Sequence, residues 1–149
     1  LTDVPDPGLI VAADPDPRMS SVHRWRPAFQ GDFQARLDWC VKPFAACNHP
    51  PVVRIAGDRE RTVAPGPVEL DAGASTDPDG QSLDFAWSLY PASPEVAGKL
   101  AFEPPDAPRT RVAVPPGLAG RTIPVLLAVT DRGSPNLARY GRVLLRVGR

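Results

Sequence analysis

The chain has 149 residues with 17 acidic and 17 basic side chains, so its formal net charge is zero. This balance argues against a nucleic-acid partner, because nucleic acid requires a basic surface. The 20 prolines argue against an all-α fold, and the sequence contains no run of about 18 apolar residues that would span a membrane.

The chain begins with a segment rich in proline and aspartate, residues 1–23, whose apolar residues show almost no periodicity. Such a composition is typical of an extended arm rather than of a helix or a strand. The segment lacks an initiator Met and lacks the basic and apolar stretches of a signal peptide. We therefore expect this arm to be the tail end of a missing N-terminal domain.

Residues 24–47 have the pattern of one amphipathic linker helix. Its apolar residues recur at every fourth position, at Trp25, Phe29, Phe33, Leu37 and Val41. Pro27 fits such a helix only near its first turn, and Gly31 weakens its interior by roughly 1 kcal/mol relative to Ala. The helix would be marginal alone, so its aromatic face must be buried against a partner.

The aromatic face of this helix has two interpretations. Its rings form either a sugar-binding site or a packing face, and the four-residue spacing favours packing. The natural partner is an adjacent domain. The residues expected to dock against that domain are Trp25, Phe29, Phe33, Leu37 and Trp39.

Two cysteines, Cys40 and Cys47, lie close together in the same segment. A short-range disulfide and two unpaired thiols both stay open as interpretations. Without a nearby pair of histidines, the two cysteines make a poor zinc set.

From residue 48 to residue 149 the apolar and polar residues alternate with a period of two, which is the pattern of half-buried strands. Seven such segments are separated by turns rich in Pro, Gly and Asp. They are centred on Val53/Ile55, Val68/Leu70, Leu83/Phe85/Trp87/Leu89, Leu100/Phe102, Val112/Val114, Ile123/Val125/Leu127/Val129 and Val143/Leu145/Val147. Seven strands in about a hundred residues predict a mostly β fold, a seven-stranded antiparallel Ig-like sandwich, preceded by the arm and the helix.

Three stretches carry a family resemblance, "DFQARLDWCVKPF", "NHPPVV" and "STDPDG". Through them, roughly residues 22–149 resemble the C-terminal Ig-like domain of bacterial cellulose-binding proteins that carry an N-terminal nucleoside-hydrolase-like domain. The sandwich half also resembles PKD-type and cadherin-like modules, in which an Asp- and Gly-containing turn precedes a core Trp.

The resemblance implies a non-catalytic, carbohydrate-associated accessory module of a secreted protein, located outside the cell or in the periplasm. Its implied partners are the N-terminal nucleoside-hydrolase-like domain of the same parent chain and a polysaccharide. Two alternatives stay open. The chain is part of a glycosidic-bond hydrolase whose catalytic residues lie in the missing N-terminal domain, or it is a calcium-stiffened adhesion or spacer module.

The sequence itself shows no catalytic constellation. His23 and His49 are isolated from one another, and no P-loop or G-x-S-x-G motif is present. We therefore expect no catalytic residues in this chain.

The sequence "TDPDG", residues 76–80, lies between two predicted strands. It imitates part of the calcium motif of nucleoside hydrolases but lacks the paired aspartates that follow it there. Asp77 and Asp79, joined by Asp131 from another loop, are candidate calcium ligands, although calcium requires about six to eight oxygens. The favoured interpretation is a turn in which the aspartates bind backbone amides and Gly80 has a positive φ.

Tyr90 and Tyr140 are the candidate carbohydrate-binding residues. Each is predicted to lie on the face of its strand opposite to the core residues, whereas Trp87 is expected in the core. A flat glycan-binding surface needs several exposed aromatic rings, and nothing in the sequence places these two together.

Overall fold

The computed structural model describes residues 20–90 and 100–148. Its first element is the helix α1, Ser20–Val41, followed by a short 3₁₀ helix at Phe44–Ala46. The predicted arm therefore lies almost wholly outside the described residues. The helix starts before the predicted boundary at residue 24 and contains Pro27 well beyond its first turn. It ends before residue 47 because Pro43 is extended and disfavours helical geometry in the residue that precedes it.

Seven strands form two sheets. The strands are β1 Glu60–Val63, β2 Gly66–Asp71, β3 Asp84–Leu89, β4 Phe102–Glu103, β5 Arg109–Val114, β6 Thr122–Thr130 and β7 Ala138–Val147. One sheet has four strands in the order β1–β7–β6–β3, and the other has three in the order β2–β5–β4. The prediction of a mostly β, two-sheet Ig-like sandwich is confirmed.

The alternation of apolar and polar residues in the strands produces the core between the sheets. Every second residue of β5 and β6 is buried, and the intervening ones face outward. The buried apolar side chains of the core are Ile55, Leu70, Ala72, Trp87, Val112, Val114, Leu118, Ile123, Val125, Leu127, Val129, Val143, Leu145 and Val147. Trp87 thus lies in the core, and its indole Nε1 donates to the carbonyl of Ala107 at 2.9 Å.

The first strand lies later in the chain than the sequence pattern predicts. The segment around Val53 and Ile55 forms only an isolated bridge, between Val52 and Thr76. The amide of Arg54 donates to the Ser75 hydroxyl, so a side chain replaces the carbonyl that a strand ladder would supply. The observed β1 pairs in parallel with β7 instead, while the other described strand pairs are antiparallel.

The helix α1 lies along the outside of the sandwich, near the start of β7. Ala35 is buried, and a Cβ on Gly31 would lie 3.1 Å from the backbone oxygen of Asn136. The Asp32 carboxylate accepts a hydrogen bond from the Arg139 guanidinium at 2.8 Å. Among the described residues, no helix is both long and apolar enough to cross a lipid bilayer.

The predicted aromatic stripe of α1 packs on the sandwich at its start, where Trp25 contacts Tyr140, but not along its whole length. An α-helix has about 3.6 residues per turn, so each step of four residues rotates roughly 40° past a full turn. The stripe that begins at Trp25 therefore drifts around the helix and points away from the sandwich by Val41, whose exposed fraction is 80%.

Candidate functional site

Tyr90 and Tyr140 lie on the outer face of the four-stranded sheet. The backbone amide of Tyr90, just after β3, donates to the carbonyl of Pro124 at 3.0 Å, and Tyr140 is paired with Ala128. Pro124, Leu126 and Ala128 alternate with the buried residues of β6. Leu126 is therefore between the two tyrosines on this face. The structure brings both predicted carbohydrate-binding residues to one cleft.

The helix α1 forms the second wall of this cleft. Trp25 packs edge-on against Tyr140, with ring centroids 4.9 Å apart and an angle of 83° between the ring planes. The cleft has a volume of about 430 Å³. Its lining residues, among those described, are Trp25, Ala28, Phe29, Asp32, Tyr90, Leu126, Ala138, Arg139 and Tyr140. We call it the aromatic cleft.

A charged pair lies in the lining of the aromatic cleft. The two carboxylate oxygens of Asp32 accept hydrogen bonds from Arg36 and Arg139, each at 2.8 Å. The hydrogen bond from Arg36, with a smaller contribution from Arg139, lowers the pKa of Asp32 below its ordinary value, although partial burial opposes this shift. The carboxylate is therefore ionised at neutral pH and its charge is compensated.

The residues predicted to dock against another domain divide into two sets. Trp25 and Trp39 are partly buried on the sandwich side, where the Trp39 Nε1 donates to the carbonyl of Asn48 at 2.9 Å. The others face solvent together with two apolar residues that follow them. We call this exposed set the apolar stripe, and its members and exposed fractions are Phe29 48%, Phe33 63%, Leu37 53%, Val41 80% and Phe44 75%.

The chain passes from the helix to the sandwich through a ring cluster around His49. The imidazole contacts two aromatic rings, that of Trp39 with a centroid distance of 5.8 Å and that of Phe44 with a centroid distance of 3.9 Å. Both oxygens of Asp79 bind His49, one at the backbone amide at 2.6 Å and one at Nδ1 at 2.9 Å. Burial acts to raise the pKa of Asp79, but the hydrogen bonds from His49 outweigh it and lower that pKa.

Asn48 joins three separate segments beneath this ring cluster. Its Nδ2 donates to the Asp131 carboxylate and to the carbonyl of Pro135, both at 2.9 Å, and its Oδ1 accepts from Gln81 at 2.6 Å. A Cβ on Gly133 would overlap the Asn48 amide. These hydrogen bonds therefore connect the segment that follows the helix with the turn before β3 and with the β6–β7 loop.

The three predicted calcium ligands have other partners in the structure. Asp77 Oδ1 accepts the amides of Asp79 and Gln81 at 2.9 and 3.0 Å, and Gly80 has a φ of 75°, which is a turn geometry. Asp79 binds His49, and the buried Asp131 accepts the amides of Gly133 and Leu137. Within residues 20–90 and 100–148, no group of three His, Cys, Asp or Glu side chains is placed to hold a metal ion.

Two acceptor oxygens in this turn are buried without a hydrogen-bond partner, Asp77 Oδ2 and Gln81 Oε1. Calcium requires about six to eight oxygens, and the described carboxylates of Asp77, Asp79 and Asp131 are not grouped as such a set. Cys40 and Cys47 are both free thiols, the first exposed and the second buried.

Comparison with known proteins identifies the family. Residues 67–147, more than half of the chain, match the sequence model of the family described as "Cellulose-binding protein Sde0182, C-terminal domain". The chain belongs to this family. The resemblance inferred from the sequence motifs is confirmed, and no match was found among curated proteins.

One solved structure is similar to the present chain over most of its length. It is described as a nucleoside hydrolase-related hypothetical protein from Saccharophagus degradans that is associated with carbohydrate metabolism. The two are 36% identical with a TM-score of 0.79, and the match covers 85% of this chain and 32% of that chain. The present chain therefore spans about a third of the length of that relative.

Two weaker structural likenesses are to Ig-like modules. The PKD domain of the KIAA 1837 protein has a TM-score of 0.48 at 21% identity, covering 64% of this chain and 84% of that chain. Human CDH23 EC21-23 has a TM-score of 0.44 at 18% identity, covering 65% of this chain and 33% of that chain. The sandwich assignment rests on the strand pairing and not on these two likenesses.

The family match begins at Pro67, so it includes Tyr90 and Tyr140 but not α1. The sequence offered the rings of Trp25 and Phe29 as a sugar site or a packing face, but it did not connect them with Tyr90 and Tyr140. It also did not reveal Asp32 in the cleft or the partner of Asp79. One local signal was available, since Asp32 and Arg36 are four residues apart on a helix, where opposite charges form pairs. No local sequence signal predicts the contact of Asp32 with Arg139, because the two residues are far apart in the chain and only the folded structure brings them together.

Proposed function

We propose that this chain is a non-catalytic accessory domain of a carbohydrate-associated protein, docked against a nucleoside hydrolase-related domain that precedes it in the parent polypeptide. The main observation in support of this proposal is the apolar stripe. The opposite side of the helix is held against the sandwich by hydrogen bonds and a buried alanine.

The helix holds the apolar stripe in a fixed orientation. Ala35 is buried against the sandwich, Asp32 binds Arg139, and Trp39 binds the carbonyl of Asn48. These contacts lie at spacings of three and four residues, so they follow one face of the helix. The stripe is therefore an oriented surface and not the loose face of a free helix.

The apolar stripe has the composition of a surface that is covered in the working protein. Its five side chains are apolar, three of them aromatic, and each is at least 48% exposed. Contiguous apolar patches on soluble domains mark protein–protein or ligand contacts more often than isolated exposed residues do. A stripe several helical turns long fits another folded domain better than it fits a single small ligand.

The comparisons support the preceding domain as the occupant. The family is a C-terminal domain by its description, and the match covers 32% of the Saccharophagus degradans chain, which is nucleoside hydrolase-related. In a polypeptide of that kind, α1 would lie between the preceding domain and the sandwich. The stripe would then meet that domain directly.

Association with polysaccharide and an extracellular location are part of this proposal. They are supported by the family description, which names cellulose binding, and by the association of the relative with carbohydrate metabolism. Any glycosidic-bond chemistry of the parent protein is assigned to the preceding domain. His49 and Asp79, an imidazole–carboxylate pair, are engaged at the ring cluster and hold the helix exit in place.

The docking proposal is tested by measuring the affinity of this chain for the separately expressed preceding domain by titration calorimetry. Leu37→Asp places a charge in the centre of the stripe and is expected to weaken association at least about tenfold. Val52→Asp is the matched control, because Val52 is also an exposed apolar residue, at 42%, but lies outside the stripe. Equal affinities for the two variants, or a parent polypeptide that has no preceding domain, would contradict the proposal.

A further inference from the structure

We infer that the aromatic cleft is a glycan-binding site that takes neutral pyranose units of a polysaccharide chain. This inference rests on the proposed carbohydrate association of the protein, but it does not depend on docking through the apolar stripe.

The shape of the aromatic cleft suits a short run of sugar rings. Its volume of about 430 Å³ lies within the range of roughly 300–1,000 Å³ that is typical of small-molecule sites. Tyr90 and Tyr140 are at different levels along the sheet, beside Pro124 and Ala128, with Leu126 between them. A ligand that contacts both tyrosines must therefore be elongated, as a linear oligosaccharide is.

The aromatic rings of the cleft match the chemistry of a pyranose. A sugar ring of this kind has a face of C–H groups and a rim of hydroxyl groups. Aromatic side chains offer a flat electron-rich surface to the C–H groups, and Tyr adds a polar end. Trp25 and Tyr140 are nearly perpendicular, and Tyr90 and Tyr140 are 43% and 41% exposed. The cleft thus offers ring surfaces in more than one orientation.

The charged groups of the cleft favour a neutral ligand. Asp32 is bonded to both Arg36 and Arg139, so the carboxylate among the described lining residues is not an isolated negative charge that would attract a cation. Arg139 also donates to the carbonyl of Ala138, which fixes its guanidinium. A carboxylate accepts up to about four hydrogen bonds and a guanidinium donates five, so both groups keep capacity for the hydroxyls of a sugar.

The position of the cleft connects it to the proposed docking surface. Phe29 lies at the border, since it lines the aromatic cleft and also begins the apolar stripe. A glycan held between Tyr90 and Tyr140 would therefore lie beside the docked domain. In this arrangement the accessory domain would keep a polysaccharide chain close to the nucleoside hydrolase-related domain.

The test measures binding of the chain to cellohexaose, xylohexaose and mannohexaose by titration calorimetry, and its retention on amorphous cellulose. Tyr90→Ala is expected to lower the affinity for the best of these glycans about tenfold, because one ring contact is lost. Phe33→Ala is the matched control, since it removes an exposed aromatic ring outside the cleft. Tyr140→Phe keeps the ring against Trp25 and is expected to lower the affinity less than Tyr90→Ala does.

Three outcomes would overturn the glycan site. The first is no binding by the unmodified chain to any of the four glycans, with thermal melting showing that the chain is folded. The second is an equal loss in Tyr90→Ala and Phe33→Ala. The third is a dimer in sedimentation that Tyr90→Ala dissociates, which would assign the cleft to a second copy of the chain. The docking measurement uses no glycan, so failure of either proposal is distinguishable from failure of the other.

Discussion

The outer face of the three-stranded sheet is charged, whereas the four-stranded sheet has on its outer face an aromatic region that a helix partly covers. In the first, Glu69 and Asp71 of β2 lie directly opposite Arg111 and Arg109 of β5. Their N–O distances are 2.8 and 2.9 Å. Such cross-strand pairs are stable in water, and this face needs no cover.

The aromatic region of the four-stranded sheet is instead partly covered by α1. Tyr90, Leu126 and Tyr140 would expose apolar surface if α1 were absent, so the helix lies across this side of the sheet. The helix in turn carries Phe29, Phe33 and Leu37 on its own outer side. The helix that covers one apolar surface therefore exposes a second apolar surface on its own outer side.

The largest expected effect comes from removing the helix cover. Ala35→Glu puts a charge at a buried contact of α1 and should lower the free energy of unfolding by about 3 kcal/mol. Gln34→Glu adds the same charge at the adjacent exposed position and should change it by less than about 0.5 kcal/mol. Urea unfolding measures both, and similar losses in the two variants would show that the helix is not held as described.

An intermediate effect on the helix is expected from acid, which acts on the contact of α1 with the sandwich through Asp32. Its pKa is below the ordinary value of 3.8, so the ionised carboxylate stabilises the helix contact above that pH. This stabilisation is lost as the pH falls through the lowered pKa. Hydrogen exchange should therefore show α1 opening below about pH 3.8, and Asp32→Asn should show a similarly open α1 already at neutral pH.

The control for the acid effect is Asp84→Asn. The hydrogen bonds from Arg132 also lower the pKa of Asp84, which is exposed at the start of β3. This substitution should leave exchange in α1 unchanged. An equal opening of α1 in both variants would mean that general charge effects, and not the contact between Asp32 and Arg139, hold the helix.

The smallest effect is expected on the charged face. Glu69→Gln removes one exposed ion pair with Arg111 and should reduce the free energy of unfolding by less than about 1 kcal/mol. The effect should decrease further in 1 M salt, where exposed charges are screened. Urea unfolding at two salt concentrations measures it, and a loss as large as that of Ala35→Glu would remove the contrast between the two faces.

The strands were predictable because their signal is local. Trp87 and the alternating residues of β6 are buried as the period of two requires, and Gly80 has the positive φ that the turn interpretation requires. The segment at Val53 was predicted as a strand on the same signal. It has backbone hydrogen bonds at Val52 and Ala56, but at Arg54 the acceptor is the Ser75 hydroxyl, and periodicity does not reveal such an interruption of the ladder.

The aromatic cleft was only half predictable. Tyr90 and Tyr140 were identified as outward-facing residues, but their proximity depends on the order β7–β6–β3, which no single segment encodes. The helix was predicted with one aromatic face. A four-residue repeat drifts on a helix of 3.6 residues per turn, so Trp25 and Val41 point in different directions.

The absence of a side chain at Gly133 makes room for the Asn48 amide, and this limits the substitutions that either position can accept during evolution. Neither position can change freely while the other is retained, since a larger residue at 133 would displace the amide that joins Asp131 to Gln81. The two positions should therefore covary in related sequences, although they are far apart in the sequence. A designer who grafts the β6–β7 loop onto another sandwich would need to carry Asn48 with it.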